Sequence, residues 1–138
     1  MGAWSTATLA VDLGLVVLAW LVQLIIYPTF AEVTPARFCA WHRNYSNRIA
    51  VVVVPLMVAQ AALHALQVLN LPDARAVVAV ACIVIAWLAT FLGAVPCHRI
   101  LSTDGCRRPV LNRLLRWNLM RTLIWTLVAV LTASRLAW

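Results

Sequence analysis

Four long stretches of this chain carry no charge, and polar residues crowd between them. No charged residue occurs between Asp12 and Glu32, between Arg48 and Asp73, between Arg75 and Arg99, or between Arg121 and Arg135. A helix needs about 20 mainly apolar residues to cross the hydrocarbon core of a bilayer. The pattern therefore predicts helices over roughly 7–27, 36–70, 74–96 and 109–137. Pro28, Pro72 and Pro96 close the first three runs, because proline lacks the N–H that would continue a helix. Pro55 falls inside the second run and predicts a kink there. The short turn Asn70-Leu71-Pro72-Asp73 makes the second and third helices an antiparallel hairpin. The longer, polar segments 28–48 and 97–117 predict amphipathic extensions lying at the interface. The reading is an all-α, four-helix transmembrane bundle, with residues 1–138 forming a single integral membrane domain.

Composition agrees and narrows the class. Of 138 residues, 64% are hydrophobic and only 11% are charged. A soluble domain is about 45–50% apolar and about 25% charged, and a disordered chain is biased the opposite way. The net charge of +7 comes with no lysine at all. Its arginines sit between apolar runs and form no basic stripe, so nucleic acid is not an expected partner. The bilayer is. Arg37, Arg43 and Arg48 fall in the first connection, and Arg99, Arg107, Arg108, Arg113, Arg116 and Arg121 in or just after the third. Only Arg75 and Arg135 belong to the other side. Positive loops stay cytoplasmic, so both termini are expected outside and the protein in a bacterial inner membrane. Cys39, Cys97 and Cys106 then face the reducing side, and Cys82 reads as a small apolar residue. The start is not a typical signal peptide, although Gly2 and Thr6 fit a myristoylation pattern. Trp4, Trp138, Trp41 and Trp117 fit an aromatic belt.

Polar side chains inside a membrane are costly and point to function. Near the cytoplasmic ends, Gln23 and Tyr27 share a face of the first helix with Trp20, and His42 and Tyr45 share one on the second. His98 follows Pro96 on the third. Asn118, Arg121 and Trp125 share a face of the fourth. His42, His98 and Arg121 are the candidate catalytic residues, and Gln23, Tyr27, Tyr45, Asn118 and Trp125 the candidate substrate contacts. Only thirteen residues separate Arg121 from Arg135, about 20 Å of helix, short of the roughly 30 Å core. Arg121 thus either snorkels to the headgroups or turns inward to hold Glu32 or an anionic or carbonyl-bearing ligand. The two histidines suit acid–base work, a haem or plain interfacial hydrogen bonding. No CxxCH or HExxH motif occurs, so no metal is assigned and any cofactor stays unknown. Near the outer face, Asp12 and His64 lie at matching depth and are expected to pair, with Gln60 one turn away. That pair either locks two helices or relays protons.

Several stretches carry a resemblance. Gln23-Leu-Ile-Ile-Tyr27-Pro28-Thr-Phe30, then Phe38, His42 and Tyr45, then Pro55-Leu-Met57, are similar to a widespread set of small, uncharacterised bacterial membrane proteins. So are Val95-Pro96-Cys-His98-Arg-Ile-Leu101 with Gly105, and Trp117-Asn118-Leu-Met-Arg121-Thr122-Leu-Ile-Trp125. In that set the last motif usually reads Asn-Trp-x-Arg-Thr, and here the tryptophan precedes the asparagine. The set in turn distantly resembles the four-helix anthrone oxygenase-like membrane family, which is linked to oxidation of aromatic polyketides. The resemblance implies His42, His98, Asn118 and Arg121 around a flat aromatic substrate. Three functions follow as expectations: an oxidoreductase acting on a quinone or aromatic polyketide, a non-catalytic membrane subunit or transporter component, and a haem-binding electron-transfer protein. The partners expected are lipid, a hydrophobic small molecule and a second copy in a homo-oligomer.

Overall fold

A computed structural model describes residues 3–136. Gly2 of the lipidation pattern, Trp138 of the aromatic belt and residue 137 of the last expected helix lie outside them. The chain forms a four-helix bundle, with spans at Trp4–Glu32, Pro35–Asn70, Ala74–Asp104 and Arg108–Arg135. Each is long and apolar enough to cross a membrane, and no strand occurs among the described residues. Large apolar side chains cover the outside, Leu24, Val51, Leu92 and Val130 among them. In water such a surface would aggregate; against lipid it is the expected one.

The helices alternate in direction, so the start of the first, the end of the second, the start of the third and the end of the fourth share one end of the bundle. Asp73 ties this terminal end together. Its side chain caps the third helix by accepting from Ala76 N at 2.7 Å, and it pairs with Arg135 Nη2 at 2.8 Å. Arg75 Nη1 reaches the Ser134 carbonyl at 3.2 Å. The opposite, loop end is packed by Tyr27, Phe30, Phe38, Cys97, Leu101, Leu111 and Leu114.

Two helix ends run on past the sequence expectation, for one physical reason. The first helix runs past Pro28 to Glu32 and the third past Pro96 to Asp104. A proline ring clashes with the carbonyl four residues earlier and breaks an α-helix there. Here each proline follows a π-helical turn, Val22–Ile26 before Pro28 and Thr90–Ala94 before Pro96. The carbonyls in question, on Leu24 and Leu92, lie in those wider turns, which make room for the ring. The second helix is continuous from Pro35 to Asn70 through Pro55. The polar extensions thus prolong the spans; they do not form separate helices lying in the interface.

Packing follows a heptad lane. On the fourth helix Leu111, Leu114, Asn118, Arg121, Trp125, Val128 and Thr132 are buried, spaced by threes and fours. The third helix meets it with small residues, Ala76, Ala79, Ala86 and Ala89, which allow close approach of the backbones. On the first helix Thr8, Asp12, Leu15, Ala19 and Val22 keep the lane, and the next buried residue is Tyr27, five on. The π turn inserts that extra step. On the second helix the lane breaks between Tyr45, itself half-buried, and Met57. That stretch is about 18 Å of helix in which none of the eleven intervening residues is buried, and a cavity lies along it.

Candidate functional site

The cavity has a volume of about 810 Å³ and lies between the second and third helices, with the first and fourth also lining it. Its walls are apolar: Leu18, Ile49, Val53, Met57, Phe91 and Val95. Val54, Val58 and Phe91 line it and are also more than half exposed, so it opens sideways, where lipid would lie. Tyr27, Tyr45, His98, Asn118, Arg121 and Trp125 all line it. Six of the eight residues singled out at this end therefore meet in one chamber.

Arg121 points into the bundle and is 7% exposed. Its Nη2 donates to Asn118 Oδ1 at 2.7 Å and its Nη1 to Thr90 Oγ1 at 3.0 Å. Its guanidinium carbon stands 5.3 Å from the Trp125 ring centroid, a cation–π contact. Snorkelling is excluded by this placement. So is the expected pairing with Glu32, which is exposed at the end of the first helix and forms no ion pair among the described residues. Asn118 is fully used in holding Arg121, since its amide nitrogen donates to Gln23 Oε1 at 2.9 Å. Gln23 stands behind Asn118 and outside the cavity lining, which corrects its expected role as a substrate contact.

The histidines form a chain. Tyr27 Oη lies 3.0 Å from His98 Nε2, His98 Nδ1 lies 3.0 Å from His42 Nε2, and His42 Nδ1 lies 2.8 Å from Ser102 Oγ. His42 is fully buried behind His98 and does not line the cavity. Two imidazoles ligating one haem iron each need a metal–nitrogen bond of about 2 Å with the macrocycle between them. These rings instead face each other at hydrogen-bond distance, so the pair does not fit a haem. Cys39 Sγ points at the Leu101 and Thr103 carbonyls, away from His42. No group of three metal-ligating side chains occurs among the described residues.

At the terminal end Asp12 and His64 meet as expected. His64 Nε2 lies 3.1 Å from both Asp12 oxygens, Gln60 Nε2 donates to Oδ1 at 2.7 Å, and Thr132 Oγ1 donates to Oδ2 at 2.6 Å. All four side chains are buried.

Sequence reasoning missed Thr90, Thr132 and Ser102. Thr90 carries a hydroxyl that bonds its own helix at Ala86 O, a pairing without any outward sign in the pattern. Gly93 is a further hidden part. A Cβ there would sink into the Trp117 indole, so only glycine lets that ring lie flat on the third helix, one turn before Arg121. No protein-family model, no curated protein and no solved structure matches this chain.

Proposed function

We propose that this is a multi-pass protein of a bacterial inner membrane that binds a flat hydrophobic molecule, of the quinone or aromatic polyketide kind, and acts on it as an oxidoreductase. The observation that carries this reading is one chamber in which a buried guanidinium and the end of a four-member hydrogen-bond chain face the same apolar space. Arg121 holds an oxygen of the ligand as negative charge develops on it. Both ends of the chain, Tyr27 and the half-buried Ser102, are in the cavity lining, Ser102 on the loop side beside Thr103.

The chain is self-consistent in two directions with both histidines neutral. In one, Tyr27 donates to His98, His98 to His42 and His42 to Ser102, leaving the Tyr27 oxygen free to accept in the cavity. When a hydroxyl of the ligand gives its proton to that oxygen as its electrons leave for dioxygen, each member passes one along, and the chain ends in the opposite direction. Ser102 releases a proton to water on the loop side.

The nine-to-two arginine bias supports a cytoplasmic loop end and periplasmic termini. A phosphatase fusion at Trp138 active in the periplasm is the expected result; activity only of a cytoplasmic reporter there reverses the orientation. For the reaction, the full chain in nanodiscs is given an anthrone or a naphthohydroquinone, with dissolved dioxygen as electron acceptor, and product is followed by absorbance. Turnover above protein-free discs that falls in His98→Phe is expected. Turnover equal to empty discs for both substrate classes ends the enzymatic reading.

A further inference from the structure

The charges and the unpaired polar atoms around the cavity have one sign in common. Arg43, Arg99 and Arg121 line it, and no aspartate or glutamate does. None of the three arginines comes within ion-pair distance of a carboxylate among the described residues. Four lining residues carry buried polar atoms with no partner: Arg121 Nε, Trp87 Nε1, Trp125 Nε1 and Ser46 Oγ. Each of the four can donate a hydrogen bond, and the three nitrogens can do nothing else. The other two guanidinium nitrogens of Arg121 rest on neutral oxygens, so its charge is hydrogen-bonded but not neutralised.

A buried cation without a counter-charge is costly, and unsatisfied buried donors add to that cost. The Asp12 cluster demonstrates that this fold can place a carboxylate among polar partners in its interior. At Arg121 the protein leaves the acceptor and the negative charge to be supplied from outside. We infer that the cavity holds its ligand as an oxyanion: a hydrophobic body carrying one ionised carboxylate, enolate or phenolate, seated on Arg121 and entering from the bilayer between the second and third helices. This rests on the proposed ligand-binding reading and narrows it from carbonyl compounds in general to acidic ones. The exposed Arg43 and Arg99 at the loop end of the cavity favour the same sign of charge on approach.

Three probes separate the parts of the inference. 2-Hydroxy-1,4-naphthoquinone is flat and acidic, 2-methoxy-1,4-naphthoquinone is flat and neutral, and oleate is acidic but not flat. Binding to the full chain in nanodiscs of neutral lipid is read by quenching of tryptophan fluorescence, since Trp87 and Trp125 line the site. The ionised hydroxyquinone is expected to bind about tenfold or more tightly than the methoxy compound, as a charge-assisted bond implies. Its affinity should fall when pH is lowered through its own ionisation. Arg121→Gln should erase that preference, and Arg121→Lys should keep part of it. The pH series on the unmodified chain decides the matter even if a variant fails to insert. Equal affinity for the methoxy and ionised hydroxy compounds overturns the anion inference and leaves the flat-ligand reading standing. Binding of oleate alone keeps the anion and removes the flat ligand. No binding of any probe removes both.

Discussion

Each end of this bundle buries one charged group, and the two are treated in opposite ways. Asp12 is surrounded: both oxygens are engaged, by Gln60, His64 and Thr132, and the three donors come from two other helices. Arg121 is cradled by Asn118 and Thr90 yet has no carboxylate, one unpaired nitrogen and an open chamber beside it. In the first, neither carboxylate oxygen lacks a partner, although Gln60 Oε1 and His64 Nδ1 beside it have none of their own. In the second, the guanidinium meets only neutral oxygens and its Nε is unpaired beside the cavity. Burial and charge alone thus do not separate the two; what differs is whether the charged group itself is fully hydrogen-bonded.

Neutralising each charge should break the symmetry of this comparison. Asp12→Ala leaves three donors facing a gap and should cost roughly 3–5 kcal/mol, the usual penalty for removing one partner of a buried pair. The check is thermal unfolding in mild detergent, where a large drop in midpoint is expected. Gly93→Val should come next, at about 1–3 kcal/mol for overpacking, because the side chain collides with Trp117. Its added signature is weakened ligand binding, since the fourth helix must shift next to Arg121. Thr90→Val removes one acceptor from the guanidinium and should cost about 1–3 kcal/mol. Saturating acidic ligand should restore part of that loss, measured as a rise in unfolding midpoint. Arg121→Gln is expected to change stability least, by under about 1 kcal/mol without ligand, because a desolvated charge leaves with its hydrogen bonds. A loss there as large as that of Asp12→Ala would make both clusters structural and dissolve the contrast.

Much of this was legible in the sequence, and the parts that were not share a cause. Charge-free runs gave four spans because lipid tolerates few alternatives. The depth match of Asp12 and His64, and the short interval between Arg121 and Arg135, followed from helix rise alone. The pairing of Asp73 with Arg135 at the terminal surface explains why Arg121 is the one turned inward. Glu32 was wrongly offered as its partner, because being at the same end of the bundle carries no information on which face a side chain takes after a π turn. Thr90 and Thr132 stayed hidden because a helical threonine can satisfy its hydroxyl on its own backbone. Its remaining capacity becomes visible only once a neighbour is in place.

The two π turns also absorb the residue that each proline needs. Each holds one residue more than an α turn, so Val22 to Tyr27 is a step of five that keeps the face a step of four keeps in an α-helix. Leu24 and Leu92, inside the turns, face outward and are 66% and 70% exposed, so their side chains hold nothing in place. Deleting either would close its turn to an α turn and leave Tyr27 and His98 near their present faces, but would return the proline ring to a carbonyl with no added room. The bundle on the terminal side of each turn, including the Asp12 cluster, would keep its own register. Each turn is thus an expansion joint: its extra residue makes room for the proline and leaves the residues beyond it in phase.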